Sequence, residues 1–195
     1  MFTGIINHLG YFKEYGLGKT VLSIEAPSVT SKLAIGESLA INGVCLSLIK
    51  KEKNILSFNI SEETYHHTNL GCLRRKDMLN LELPVTLSTP LSGHMVTGHV
   101  DTTGKILKIV LSGKGKRFTF SFPEKLRFYF VPKGSVCING ISLTIAAISS
   151  LSFEIELIPI TLENTNLGFL RAGDTVNIES DIIGKYVYNW QLKKR

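Results

Sequence analysis

The chain carries one stretch twice. Residues 38–48 read Ser-Leu-Ala-Ile-Asn-Gly-Val-Cys-Leu-Ser-Leu and residues 135–145 read Ser-Val-Cys-Ile-Asn-Gly-Ile-Ser-Leu-Thr-Ile. At an offset of 97 (135 minus 38), five of the eleven positions are identical. The others exchange small or apolar residues, including Cys45 for Ser142 and Ser47 for Thr144. A second block, 64–82 against 161–179, repeats at the same offset with ten of nineteen positions identical, Thr-Asn-Leu-Gly among them. Met1-Phe-Thr-Gly and Met95-Val-Thr-Gly open the two copies, 94 apart. Solenoid repeats recur every 20–50 residues or so, so this longer period marks a duplicated domain.

Within each copy, short apolar or alternating runs are separated by turn signals. Val21–Glu25, Phe118–Phe122, Ile55–Ile60 and Phe153–Ile158 read as strands. Asn42-Gly43 and Asn139-Gly140 read as type I′ hairpin turns, because both central residues of that turn need positive φ. Residues 28–33 and 124–130 each suit a short helix leading to Gly36 and Gly134. About six strands per copy predict a small closed barrel. The expected fold is all-β: two tandem six-stranded antiparallel Greek-key barrels, spanning 1–97 and 98–181, followed by an α-helix over 182–195. That helix places Ile183, Val187, Trp190 and Lys194 on one face, which must cover an apolar surface or join subunits.

Charge and composition narrow the function. The net charge of +6 gathers partly in the tail at Lys185, Lys193, Lys194 and Arg195, without the basic stripe interleaved with aromatics that nucleic acid favours. No apolar run reaches the ~18–20 residues of a membrane helix, and no signal peptide opens the chain, so a cytoplasmic protein is expected. Cys45, Cys72 and Cys137 are odd in number and unpaired in spacing, which argues against disulfides and a cysteine zinc site. Buried thiols are expected for Cys72 and Cys137. His94 and His99 would face opposite sides of a regular strand and make poor joint metal ligands. His66 and His67 read as surface residues, and 112–117 as a hairpin loop.

Taken together, the Met-Phe-Thr-Gly start, the paired Ile-Asn-Gly-x-[Cys/Ser]-Leu-[Ser/Thr] strands, the paired Thr-Asn-Leu-Gly blocks and Gly93-His-Met-Val-Thr-Gly-His-Val-Asp101 resemble the riboflavin synthases of the alpha-chain type, from residue 1 to about 188. The resemblance implies a transferase that takes two molecules of 6,7-dimethyl-8-ribityllumazine. It moves a four-carbon unit between them, giving riboflavin and 5-amino-6-(ribitylamino)pyrimidinedione, with no metal or organic cofactor. It also implies one lumazine per barrel and a homotrimer held by the C-terminal helix.

Carried over, the resemblance places a first pocket at Gly4, Ile5, Ile6, Cys45, Leu46, Ser47, Asn59, Ile60, Ser61, Glu62, Glu63 and Thr64. The second is Gly98, His99, Val100, Lys133, Ser142, Leu143, Thr144, Glu156, Leu157, Ile158, Pro159, Ile160 and Thr161. Ser38, Cys45, His99, Ser142 and Asp181 fall at the reacting centre. Ser142 and His99 are expected to move protons in the second pocket, with Cys45 and Ser47 as counterparts in the first. The chain departs from the family pattern with Val44 in place of a second cysteine, Ile160 in place of a glutamate, and a short tail after Trp190. A non-catalytic lumazine or flavin carrier of the same fold is the competing reading.

Overall fold

The computed structural model describes residues 1–193, so Lys194 and Arg195 lie outside the described residues. The first copy runs β1 (His8–Gly16), β2 (Val21–Glu25), α1 (Pro27–Thr30), β3 (Ser38–Ile41), β4 (Val44–Glu52), β5 (Ile55–Asn59), α2 (Glu62–His67) and β6 (Met78–Glu82). The second runs β7 (Thr102–Ser112), β8 (Gly115–Ser121), β9 (Ser135–Ile138), β10 (Ile141–Ile148), β11 (Ser152–Leu157), α3 (Pro159–Asn164) and β12 (Thr175–Ser180), and α4 (Ile182–Leu192) follows. Both copies close into antiparallel rings with the same Greek-key order, β1-β2-β5-β4-β3-β6 and β7-β8-β11-β10-β9-β12. Even the irregularities repeat. The register shifts between Phe12 and Glu14 and between Leu48 and Lys50 recur between Ile106 and Lys108 and between Ile145 and Ala147. Bulges at equivalent places give both rings the bend that closes a short-stranded sheet.

Each ring has its own apolar interior: Leu22, Ile24, Leu39, Leu56 and Phe58 in the first, Phe118, Phe120, Phe153, Ile155 and Val176 in the second. The predicted connecting helices are shorter than the sequence suggests. α1 makes a single turn, and residues Glu124–Tyr129 form a 3-10 segment. Lys133, not Gly134, is the structural match of Gly36. Gly36 and Lys133 take φ of 90° and 65°, and their N–H groups donate to the equivalent carbonyls of Leu48 and Ile145.

The rings meet across a pseudo-twofold axis. Asn42-Gly43 and Asn139-Gly140 form the expected hairpins, with positive φ at all four residues. They also abut: a Cβ on Gly43 would lie 2.6 Å from the Gly140 nitrogen. Around this contact six buried asparagines interlock. Asn80 Nδ2 donates to the Asn139 carbonyl at 2.9 Å and Asn177 Nδ2 to the Asn42 carbonyl at 2.8 Å. The Asn69 N–H donates to Asn177 Oδ1 at 2.7 Å and the Asn166 N–H to Asn80 Oδ1 at 2.8 Å. The Thr-Asn-Leu-Gly blocks, so prominent as repeats, are therefore the clasp between barrels. A small apolar cluster of Phe2, Ala40, Val96 and Cys137 lies in the same junction. Burial, and then the nearby Glu179 and Glu82 carboxylates, push the Cys137 thiol well above its ordinary range.

Candidate functional site

The two Thr-Gly segments build the site, and they do so crosswise. Glu82, at the end of β6, accepts from the Thr3 N–H and Oγ1, both at 2.7 Å, and from the Gly4 N–H at 3.0 Å. Held this way, Gly4 turns its carbonyl to the second barrel, where it accepts from the Ser142 N–H at 2.7 Å. The other copy repeats the arrangement in the opposite sense. Glu179 accepts from the Thr97 N–H at 2.7 Å, from its Oγ1 at 2.6 Å and from the Gly98 N–H at 3.0 Å. The Gly98 carbonyl then accepts from the Cys45 N–H of the first barrel at 2.9 Å. Both glycines have φ near +80° and sit against the facing strand: a Cβ on Gly4 would come within 2.6 Å of Ser142 Cβ, and one on Gly98 within 2.5 Å of Cys45 Cβ.

This corrects the grouping expected from sequence. Gly4, Ile5 and Ile6 border Ser142, Leu143 and Thr144 of the second barrel, and Ile6 packs on that barrel's core. Gly98, His99 and Val100 border Cys45, Leu46 and Ser47 of the first, where Val100 packs. His99 is exposed and lies with Cys45, not with Ser142. The residue that meets Ser142 is His94, whose Nδ1 is 2.7 Å from Ser142 Oγ. Residues 94–99 are not a regular strand but an irregular segment with a single bridge, Phe2 to Val96, which is how a buried and an exposed histidine come from one short stretch. Burial lowers the His94 pKa below its ordinary 6.5, and the charge of Asp181 acts in the opposite direction. His94 Nε2 is buried without a partner.

The remaining expected residues divide into two groups. Ser47, Thr144, Asn59, Ser61, Glu62, Glu63, Ile158, Pro159 and Ile160 are exposed at the mouths, with Thr64 and Thr161 half-buried beside them. Ser61 caps α2, placing Glu62 and Glu63 in its first turn; α3 starts with Pro159 and has no acid there. The first mouth is thus acidic and the second apolar. Ile60 and Leu157 are 3% and 1% exposed and belong to the barrel cores, and the Glu156 side chain points outward to Arg117 at 3.0 Å. The side chains of these three are thus occupied in the cores or on the outer face of a barrel. Ser38 opens β3 opposite Ser47. Asp181 caps α4 by accepting from the Ile183 N–H at 3.0 Å, which leaves it close enough to act on His94. Cys72, expected to be buried, is exposed at the end of a 3-10 turn, while Cys137 is buried.

A cleft of about 680 Å³ lies away from these residues in the seam behind the asparagine clasp, lined by Arg74, Lys76, Arg171 and Phe169. Both mouths by contrast are open faces with polar strand edges. Among the described residues no group of three or more His, Cys, Asp or Glu is placed to hold a metal ion.

Comparison with known proteins finds the same duplication. The lumazine binding domain family matches residues 3–84 and again 97–181. Riboflavin synthase of Actinobacillus pleuropneumoniae is 37% identical over 196 residues, covering 100% of this chain and 91% of that relative. The chain belongs to the riboflavin synthase family. The enzymes of Mycobacterium tuberculosis and Bacillus subtilis are 37% and 33% identical, covering 96% and 99% of this chain and 96% and 91% of theirs. Among solved structures, LumP complexed with 6,7-dimethyl-8-(1'-D-ribityl) lumazine superposes with a TM-score of 0.82 at 21% identity, over 92% of this chain and 99% of LumP. LumP complexed with riboflavin gives 0.83 at 23% identity, with the same coverage. At that identity the likeness speaks to the fold alone. No helix among the described residues is long and apolar enough to cross a membrane.

Proposed function

We propose that this chain is a riboflavin synthase, a transferase that binds one 6,7-dimethyl-8-ribityllumazine at each barrel mouth and moves a four-carbon unit from one to the other. The observation that carries the reading is the retention of two equivalent mouths with different chemistry: Ser142 backed by His94 at one, Cys45 against Gly98 at the other. Like reactants call for like cradles. Holding both rings in near-attack geometry lowers a two-substrate barrier by about 7–11 kcal/mol.

The lumazine ring delocalises the charge left when its 7-methyl group loses a proton, so the chain has to supply orientation and proton movement. With Nδ1 of His94 unprotonated, Ser142 Oγ donates to it. Oγ then takes the substrate proton as its own passes to Nδ1, and Asp181 favours the imidazolium that forms. Backbone groups of β4 and β10 bordering the mouths read the polar edge of the pyrimidine ring. Lys133, held in a left-handed conformation where the first copy has glycine, is a further candidate for a ligand contact.

Both mouths are open in a single chain, and α4 exposes Ile183, Tyr186, Val187 and Trp190 at 55–73%. This supports a homotrimer in which a neighbouring copy closes each mouth over its ligand, in a cytoplasmic enzyme that needs no metal or organic cofactor. The test is to incubate purified protein with the lumazine alone. Two lumazines consumed for each riboflavin and each pyrimidinedione formed is the expected result. Tight binding without turnover would make the chain a carrier.

A further inference from the structure

We propose that Glu82 and Glu179 are positioning residues that act across the molecule: each is carried by one barrel and sets the ligand-facing edge of the other. A carboxylate at the end of a strand would ordinarily serve its own sheet. Here Glu82 spends its acceptors on Thr3 and Gly4, and Gly4 is joined to Ser142 of the second barrel. Glu179 holds Thr97 and Gly98, and Gly98 is joined to Cys45 of the first. In each loop the same threonine hydroxyl also accepts from the residue that enters the mouth, Ile5 at 3.2 Å and His99 at 3.2 Å.

Three features make these loops straps and not passive connections. Every donor in the Thr-Gly pair is taken by one carboxylate, so one side chain holds all of the pair's N–H and O–H groups. Neither glycine can shift toward its facing strand, since a Cβ there would already overlap it. The two straps also bridge each other, Phe2 with Val96 in both directions and the His94 N–H donating to the Thr3 carbonyl at 3.2 Å. Loosening one anchor therefore frees the edge of the opposite mouth while its own barrel keeps its ladder. A purely structural glutamate would loosen its own barrel first, or both alike.

Directionality is the test, read by amide hydrogen exchange on the full chain without ligand. Glu82→Gln is expected to speed exchange at the Ser142 amide by roughly tenfold or more, a local opening of the second mouth, with Cys45 unaffected. Glu179→Gln is expected to do the reverse. Should the glutamine variants not fold, Thr3→Val and Thr97→Val remove one of three anchoring bonds each and are expected to give the same pattern with smaller rises.

The second arm rests on the lumazine reading. Ring resonances of His99 and His94 report the first and second mouths during titration with 6,7-dimethyl-8-ribityllumazine. Glu82→Gln is expected to weaken binding sensed at His94 by about tenfold while binding sensed at His99 holds. Equal effects at both mouths, effects confined to the glutamate's own barrel, or none would overturn the proposal. A wild-type chain in which the lumazine moves neither histidine would count against the function alone, and the amide arm would still decide the straps.

Discussion

His94 Nδ1 lies 2.7 Å from Ser142 Oγ, with the far side of the imidazole buried and unpartnered. The ring is therefore fixed by this bond and by its own backbone, and the hydroxyl is aimed at the second mouth. If the pair moves the substrate proton as one unit, removing either half removes the unit. Ser142→Ala and His94→Gln should each lower kcat by roughly 10²-fold or more, the usual contribution of a placed acid–base group. The double variant should be no worse than the poorer single one. KM should change only a few-fold. Steady-state fluorescence assays of all four proteins would check this, and additive losses would separate the two residues.

Burial also gives His94 a pH signature. Its pKa is lowered in the folded chain, so above pH 6.5 the imidazole is neutral in both states and carries no penalty. As pH falls through 6.5 the unfolded chain binds a proton that the folded chain refuses, and stability declines until the folded-state pKa is passed. His8 is shifted the same way, by burial and then Lys32, so it adds to the slope. Urea midpoints measured from pH 7.5 down to 5 should fall for the wild type and fall less steeply for His94→Gln.

The duplication was legible because repeats need only an alignment, and the Asn-Gly turns because their φ requirement is local. The asparagine clasp was not. Asn69 and Asn166 sit in blocks that stand out only as repeats, and the pseudo-twofold contact reveals what their side chains reach. The available clue was Asn80 and Asn177 set inside the apolar runs Leu-Asn-Leu and Val-Asn-Ile. The crossing of the Thr-Gly segments was hidden for a similar reason: an offset pairs Gly4 with Gly98 without saying which barrel each touches. His94 has no counterpart in the first copy, because the copies align from Met95 onward. The resemblance also named Ile60, Leu157 and Glu156, whose side chains the structure places in the barrel cores and against Arg117.

The clasp predicts an uneven tolerance. Asn177 donates to the Asn42 carbonyl and to Asn69 Oδ1, and its Oδ1 accepts from the Asn69 N–H. Asn177→Ala would leave the Asn42 carbonyl and the Asn69 N–H without a bond and Asn69 Oδ1 with only the 3.4 Å contact from Asn42 Nδ2, at about 1–3 kcal/mol for each orphaned group that water does not reach. A loss of roughly 2–5 kcal/mol is expected, since part of the gap rehydrates. Surface residues on the same strands should cost under ~0.5 kcal/mol. Chemical denaturation would check both, and the m-value would show whether the barrels part before they unfold.

The helix α4 supplies the last prediction. It is fastened to its own barrel by Lys185, whose Nζ is 2.6 Å from Asp101 Oδ1, and by Gly184, where a Cβ would lie 3.0 Å from the Tyr129 carbonyl. Asp101 in turn holds the Ser180 N–H and Oγ at 2.8 Å, so the helix start is tied to β12. This leaves Ile183 and Val187 more than half exposed on a helix whose docking is already satisfied. Val187→Asp should then leave the fold intact, by circular dichroism, while light scattering falls from the mass of three chains to that of one. In the proposed trimer turnover should fall with it, because each mouth would lose the neighbour that closes it, and binding of single lumazines should persist at reduced affinity. A wild-type chain that scatters as a monomer yet turns over would break the link between assembly and catalysis.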